Sequence, residues 1–141
     1  MEVTAEIRRV MVAHAVSCLP DEACGLLASD GSGRLCAVYC LRNATPSPTA
    51  YTLDPEEHFR ALRDAESRGR RLAGVFHSHP KGPAAPSPTD VAQALEPDWL
   101  YVVVSLEDPA VPEVRGFWIR GGSVEEEALV DPAPAGAEVL R

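Results

Sequence analysis

The sequence predicts an α+β domain in which a central mixed β-sheet is packed with helices. Three observations carry this prediction. The chain has 141 residues, the length of one domain and too short for an eight-fold barrel of ~250 residues. Its hydrophobic periodicity changes along the chain in the order α, β, β, α, β, α, β, β, β. Two of those changes are hairpins, so strands and helices do not alternate as in a repetitive βαβ wind.

Each element follows from local pattern. Val3, Ile7, Val10, Met11, His14, Ala15 and Cys18 recur at helical spacing on one face, with Thr4 as N-cap and Pro20 barring continuation. Glu22 to Ala28 reads as a strand ending at the turn Asp30-Gly-Ser-Gly33, and Arg34 to Arg42 returns as its hairpin partner. Asn43 to Leu53 holds Pro46 and Pro48 and reads as a loop. Asp54-Pro55-Glu56-Glu57 opens a second helix, with Asp54 as cap, Pro55 at the first position and Glu57 reaching back as in a capping box. Gly69 ends it. Arg71 to His77 is a short apolar strand, Ser78 to Pro86 a Pro- and Gly-rich loop, and Ser87-Pro88-Thr89-Asp90 a helix start. Trp99 to Leu106 is a buried strand, and Val114 to Arg120 with Ser123 to Val130 make a hairpin around Gly121-Gly122. The domain is expected to span residues 1–130. Residues 131–141, rich in Pro and Ala, read as a flexible C-terminal tail.

Composition narrows the function. Hydrophobic residues are 45% and charged residues 24%, which is globular rather than disordered. The formal net charge is −8, which repels phosphate backbones and argues against nucleic acid. No stretch approaches the ~20 apolar residues of a membrane span, and the N-terminus lacks a secretory pattern, so a cytoplasmic protein is expected, with no membrane partner. Cys18, Cys24, Cys36 and Cys40 form no CxxC pair and are read as reduced. Cys24 is read as a small buried hydrophobe, His14 as a packed helix histidine, the Arg60 to Arg71 cluster as a solvated face and Glu125 to Glu127 as a charged sheet edge.

The chemistry concentrates in His77-Ser78-His79-Pro80 and the Ser87-Pro88-Thr89-Asp90 that follows it. Side chains at i and i+2 of a strand share a face, so His77 and His79 can aim two imidazoles at one point. A proline-stiffened loop then returns Asp90 at a helix start. Two His and one carboxylate make a three-ligand set that leaves zinc an open fourth position, where a water acquires a pKa of ~7. Ser-Pro-x-Asp is also, by itself, a helix-start signature. A hydrolase further needs a base and an oxyanion donor. Glu22 can be that base, or simply a solvated loop-end carboxylate; Ser87 can be that donor.

His77-Ser78-His79-Pro80 with Ser87 and Asp90 at this spacing resembles the JAMM (MPN+) metalloprotease motif: Glu, then His-x-His, seven residues, Ser, two residues, Asp. Pro20 to Leu27 resembles the family's segment around its catalytic Glu, and the likeness extends over residues 3–130. The resemblance implies a cytidine-deaminase-like JAMM/MPN fold. It implies a zinc ion (Zn2+) held by His77, His79 and Asp90, Glu22 as general acid/base and Ser87 as oxyanion donor. It implies cleavage after the C-terminal tail of a ubiquitin-like protein. The chain is similar to the short bacterial branch, which implies a ubiquitin-like sulfur carrier of the ThiS/MoaD type ending in Gly-Gly, release of cysteine or a short peptide, and a place in cysteine biosynthesis or sulfur transfer. Two alternatives stand beside this: a non-catalytic scaffold of the same fold, and a DNA-repair-associated JAMM-like protein, against which the acidic balance argues. The sequence leaves a homodimer open.

Overall fold

The computed structural model describes residues 1–132, so the expected tail, apart from its first two residues, lies outside the described residues. The elements are β1 (Glu2–Val3), α1 (Ala5–Cys18), β2 (Cys24–Ser29), β3 (Arg34–Leu41), α2 (Pro55–Ser67), β4 (Arg71–His79), α3 (Pro88–Gln93), β5 (Leu100–Ser105), β6 (Glu113–Arg120) and β7 (Ser123–Glu127). The strands form one seven-stranded sheet in the order β1-β3-β2-β4-β5-β6-β7. β1/β3 and β4/β5 are parallel and the other pairs antiparallel, so the sheet is mixed as expected.

Strand alternation builds a core on each face. Leu100, Val102 and Val104 of β5, with Leu27 and Phe76, pack against Ile7, Met11 and Ala15 of α1. Tyr101 and Val103, with Leu26 and Val75, face the other way, against Ala61 of α2 and Val91 of α3. At the centre, β2 must carry a glycine. A Cβ on Gly25 would collide with the Phe76 ring and the Tyr39 carbonyl, so β2 closes on β3 and β4 only without a side chain there.

Several local readings are refined. The two-residue β1 is too short for a pattern to reveal; it is specified by pairing with Arg34 and Leu35 and by the Val3 amide donating to the Val130 carbonyl. Thr4 caps α1 by accepting from the Ile7 amide, but Val10, assigned to the buried face, is 38% exposed, because the contact stripe narrows to Ile7, Met11 and Ala15. Asp54 caps α2 as expected. Glu57 does not complete a capping box: its Oε1 accepts from the Arg42 amide at 2.6 Å, tying the helix to the end of β3. β4 runs on to His79 instead of ending at His77, because the parallel ladder with β5 continues to His79 opposite Ser105. β7 stops at Glu127 and is an edge strand, as its glutamates suggested. Among the described residues, no helix is long and apolar enough to cross a membrane.

Candidate functional site

His77 and His79 lie at the end of β4 on the face shared with Val75, the face covered by α2 and α3. Their Nε2 atoms are 3.1 Å apart. The His79 ring is oriented by the Pro83 carbonyl, 2.8 Å from Nδ1. That carbonyl can only accept, so Nδ1 carries the proton and Nε2 offers its lone pair. The His77 ring is instead held by packing: Tyr51 stacks on it with centroids 4.7 Å apart and planes 18° from parallel, and His77 Nδ1 is buried with no hydrogen-bond partner.

The loop from Pro80 to Pro86 returns the chain to Ser87, which caps α3. Ser87 Oγ accepts from the Asp90 amide at 3.1 Å, and Asp90 Oδ2 accepts from the Ser87 amide at 2.8 Å, a complete capping box. The same Asp90 Oδ2 lies 3.1 Å from both His77 Nε2 and His79 Nε2. The two sequence readings of Asp90, helix-start residue and metal ligand, are thus compatible in one carboxylate.

Glu22 precedes β2 and is only 4% exposed, which removes the solvated reading. Its backbone is fixed on both sides: its amide donates to the Ser47 carbonyl at 2.8 Å, and its carbonyl accepts from Asn43 Nδ2 at 3.1 Å. Ala23 is clamped to Ser78, the residue between the two histidines. The Glu22 carboxylate itself has an orphan, Oε1, buried without a partner. Glu22, His79 and Ser87 line one cleft of about 430 Å³, with walls of Pro48, Thr49, Pro80 and Pro83.

The electrostatics suit proton transfer beside a cation. Burial pushes the Glu22 carboxyl up to about 7, against a lowering influence from His79. Burial also lowers the His77 imidazole, which favours its neutral, ligating form. At His79 burial works the same way but is outweighed by Asp90 and the Pro83 carbonyl, so its pKa is raised. Burial alone would raise Asp90, yet the imidazoles of His77 and His79, which donate to it only when they are protonated, hold it far below the carboxylate range in the metal-free site. The Cys24 thiol, fully buried, is pushed up to about 12 by burial, as befits a packing residue. His14 is a helix histidine with a structural bond, its Nε2 lying 3.0 Å from the Leu41 carbonyl and 3.2 Å from that of Cys24.

All five residues singled out in the sequence come together: His77, His79 and Asp90 as one cluster, Glu22 and Ser87 in the cleft beside it. Sequence reasoning missed Asn43, Ser78 and Tyr51. Only Ser78 stood inside the motif; Asn43 and Tyr51 sat in a segment readable only as loop.

The cluster fits a metal. Two lone-pair nitrogens and a carboxylate oxygen converge with 3.1 Å spacings. A tetrahedral zinc with bonds of ~2.0–2.1 Å sets its ligand atoms about 3.3 Å apart, so a cation relieves this crowding of acceptors with little movement.

Comparison with known proteins agrees. A family model, Prok-JAB, described as prokaryotic homologs of the JAB domain, matches residues 4–120. The chain is 43% identical over 128 residues to the "CysO-cysteine peptidase" of Mycobacterium tuberculosis, covering 90% of this chain and 88% of that one. It is 45% identical over 121 residues to the "Probable TtuB-protein conjugate cleaving protease" of Thermus thermophilus, covering 84% and 74%. A solution structure from Desulfitobacterium hafniense superposes with a TM-score of 0.86 at 36% identity, covering 93% of this chain and 92% of the other.

Proposed function

Because this chain belongs to the Prok-JAB family, the prokaryotic homologs of the JAB domain, and is a peptidase of the JAMM type, we propose that it uses zinc to hydrolyse the bond after the C-terminal Gly-Gly of a ubiquitin-like sulfur carrier, releasing cysteine or a short peptide. One observation carries the reading: a His-His-Asp ligand set shares a cleft with a buried carboxylate that has no partner of its own. The names of the two peptidase relatives support the carrier as substrate class. A scaffold has no use for an unpartnered buried Glu, which costs stability.

His77 Nε2, His79 Nε2 and Asp90 Oδ2 would hold the zinc, which supplies a Lewis acid that polarises a carbonyl and acidifies water. Glu22 takes a proton from the attacking water and passes it to the departing amide nitrogen as the C–N bond breaks. A carboxyl titrating near neutrality can both accept and return that proton. Ser87 Oγ already accepts the Asp90 amide, so the hydroxyl keeps its own proton free to donate to the carbonyl oxygen as charge builds there. The proline walls of the cleft are rigid, which suits a tail of two glycines that brings no side chains.

The test is intact-mass spectrometry of ubiquitin-fold sulfur carriers ending in Gly-Gly plus cysteine or a short peptide, incubated with zinc-loaded protein with and without chelator. The expected result is a chelator-sensitive mass loss immediately after Gly-Gly. Absence of cleavage on every carrier, with zinc bound, overturns the substrate class.

A further inference from the structure

Lys81 is the only lysine in the chain, among twelve arginines. It stands two residues past His79, is exposed, and lines the cleft that holds Glu22, His79 and Ser87. Among the described residues its ammonium makes no ion pair and no side-chain hydrogen bond. The remaining lining is neutral apart from Glu22 and His79: Pro48, Thr49, Pro80, Gly82 and further prolines. Arg42 lines another groove that also touches Glu22, and it is engaged by Asp54.

That arrangement bears on which leaving group the cleft accepts. This inference rests on the carrier peptidase reading above. When the carrier ends one residue past Gly-Gly, the leaving residue bears a free α-carboxylate. Its carbon lies about 2.5 Å from the nitrogen that departs, across one N–Cα and one Cα–C bond. This anion must enter a cleft that already contains the Glu22 carboxylate, which repels it. A cation on the same wall removes the penalty. We propose that Lys81 is a specificity residue for the released group: its ammonium receives the α-carboxylate of a single terminal residue. Each further residue carries the carboxylate about 3.5 Å away, and an isopeptide-linked protein offers no α-carboxylate at that place. Lys81 therefore favours removal of one residue over cleavage of longer extensions or protein conjugates. A lysine suits the task because its compact charge rides on a flexible stem that swings aside when the product leaves.

The experiment compares one carrier made in two forms, ending in Gly-Gly-Cys as the free acid and as the carboxamide. Zinc-loaded wild type, Lys81→Met and Lys81→Arg are each assayed on both for kcat and KM. Affinity for the two uncleaved forms is measured by calorimetry in the Glu22→Gln background. Wild type is expected to favour the acid about five- to tenfold, in KM and in affinity, and the preference should shrink with added salt. Lys81→Met should bring the acid-to-amide ratio close to one, and Lys81→Arg should keep most of it. A ratio unchanged by Lys81→Met, or no preference in wild type, overturns this proposal and leaves the peptidase reading intact. Failure of wild type to cut either form removes both.

Discussion

Ser78 and Ala23 grip each other through two hydrogen bonds: the Ala23 amide donates to Ser78 Oγ at 2.7 Å, and the Ser78 amide donates to the Ala23 carbonyl at 3.0 Å. The first replaces a ladder bond with a side-chain bond at the start of β2. It sets the distance between the strand bearing both histidines and the peptide next to Glu22. Ser78→Ala leaves a buried amide without an acceptor, which costs about 1–3 kcal/mol. The expected phenotype is a lowered Tm and a reduced kcat with zinc affinity changed only a few-fold, since the ladder to β5 still holds His77 and His79. Thermal denaturation and metal titration check it; an unchanged Tm would show that the Oγ bond adds nothing net.

Asn43 does for the loop what Ser78 does for the strand. Its Nδ2 donates to the Glu22 and Ala50 carbonyls, and its Oδ1 accepts from the Thr45 and Thr52 amides. Every capacity of the buried amide group is used, so Glu22 and the loop carrying Tyr51 move as one body. Asn43→Asp places a carboxylate oxygen against two carbonyls that need donors. It should destabilise by about 2–3 kcal/mol, more than the nearly isosteric change suggests, and lower kcat. Equal stability of the variant and wild type in urea unfolding would refute the assignment.

How much of this was legible in the sequence depends on what each residue needed. His77, His79, Ser87 and Asp90 sit within fourteen consecutive residues, and strand and cap periodicity alone brings them to one place. Local pattern offered Glu22 as a candidate base but could not separate it from a solvated loop-end carboxylate, because what marks it is burial without a partner, and burial is a property of the assembled sheet. Asn43 and Tyr51 act across loops whose course no periodicity predicts. Glu57 was misread for a related reason: the capping box competes with a longer-range bond to the Arg42 amide, and local pattern cannot see β3 arriving there. The extension of β4 to His79 had the same origin, since the partner strand β5 decides where β4 ends.

Asp90 serves two ends, and two substitutions separate them. Asp90→Ala removes both the carboxylate that faces the histidines and the acceptor for the Ser87 amide. It should lose zinc and loosen α3 by about 1 kcal/mol. Asp90→Asn keeps an oxygen for the Ser87 amide while discarding the negative charge, so it should lose most zinc affinity yet retain the apo Tm within about 1–2 °C. Metal content after dialysis and thermal melts of the apo proteins read the two effects independently. Equal Tm losses in both variants would mean that the charge, not the cap, holds the helix start.

Glu22→Gln probes the buried carboxyl by stability as well as by turnover. In the metal-free protein the folded carboxyl titrates near 7, because burial disfavours its charge, against 4.5 when unfolded. The folded state thus binds this proton more tightly than the unfolded state does. Its contribution to stability is complete below pH 4.5 and is lost as pH rises through 7. Glutamine carries no charge at any pH and escapes that loss. The shift sets an upper bound of about 3 kcal/mol, and water entering the metal-free cleft reduces it to about 1–2 kcal/mol. The variant should therefore match wild type near pH 4.5 and melt several degrees higher at pH 8, while its zinc-loaded form loses turnover and keeps its metal. His77, His79 and Asp90 are common to both proteins, so the difference between the two melting profiles reports Glu22 together with its charge coupling to His79 and Asp90. A gap in Tm that is constant across this range would show that the carboxylate is already stabilised in the fold, leaving it too weak a base at neutral pH for the proposed proton transfer.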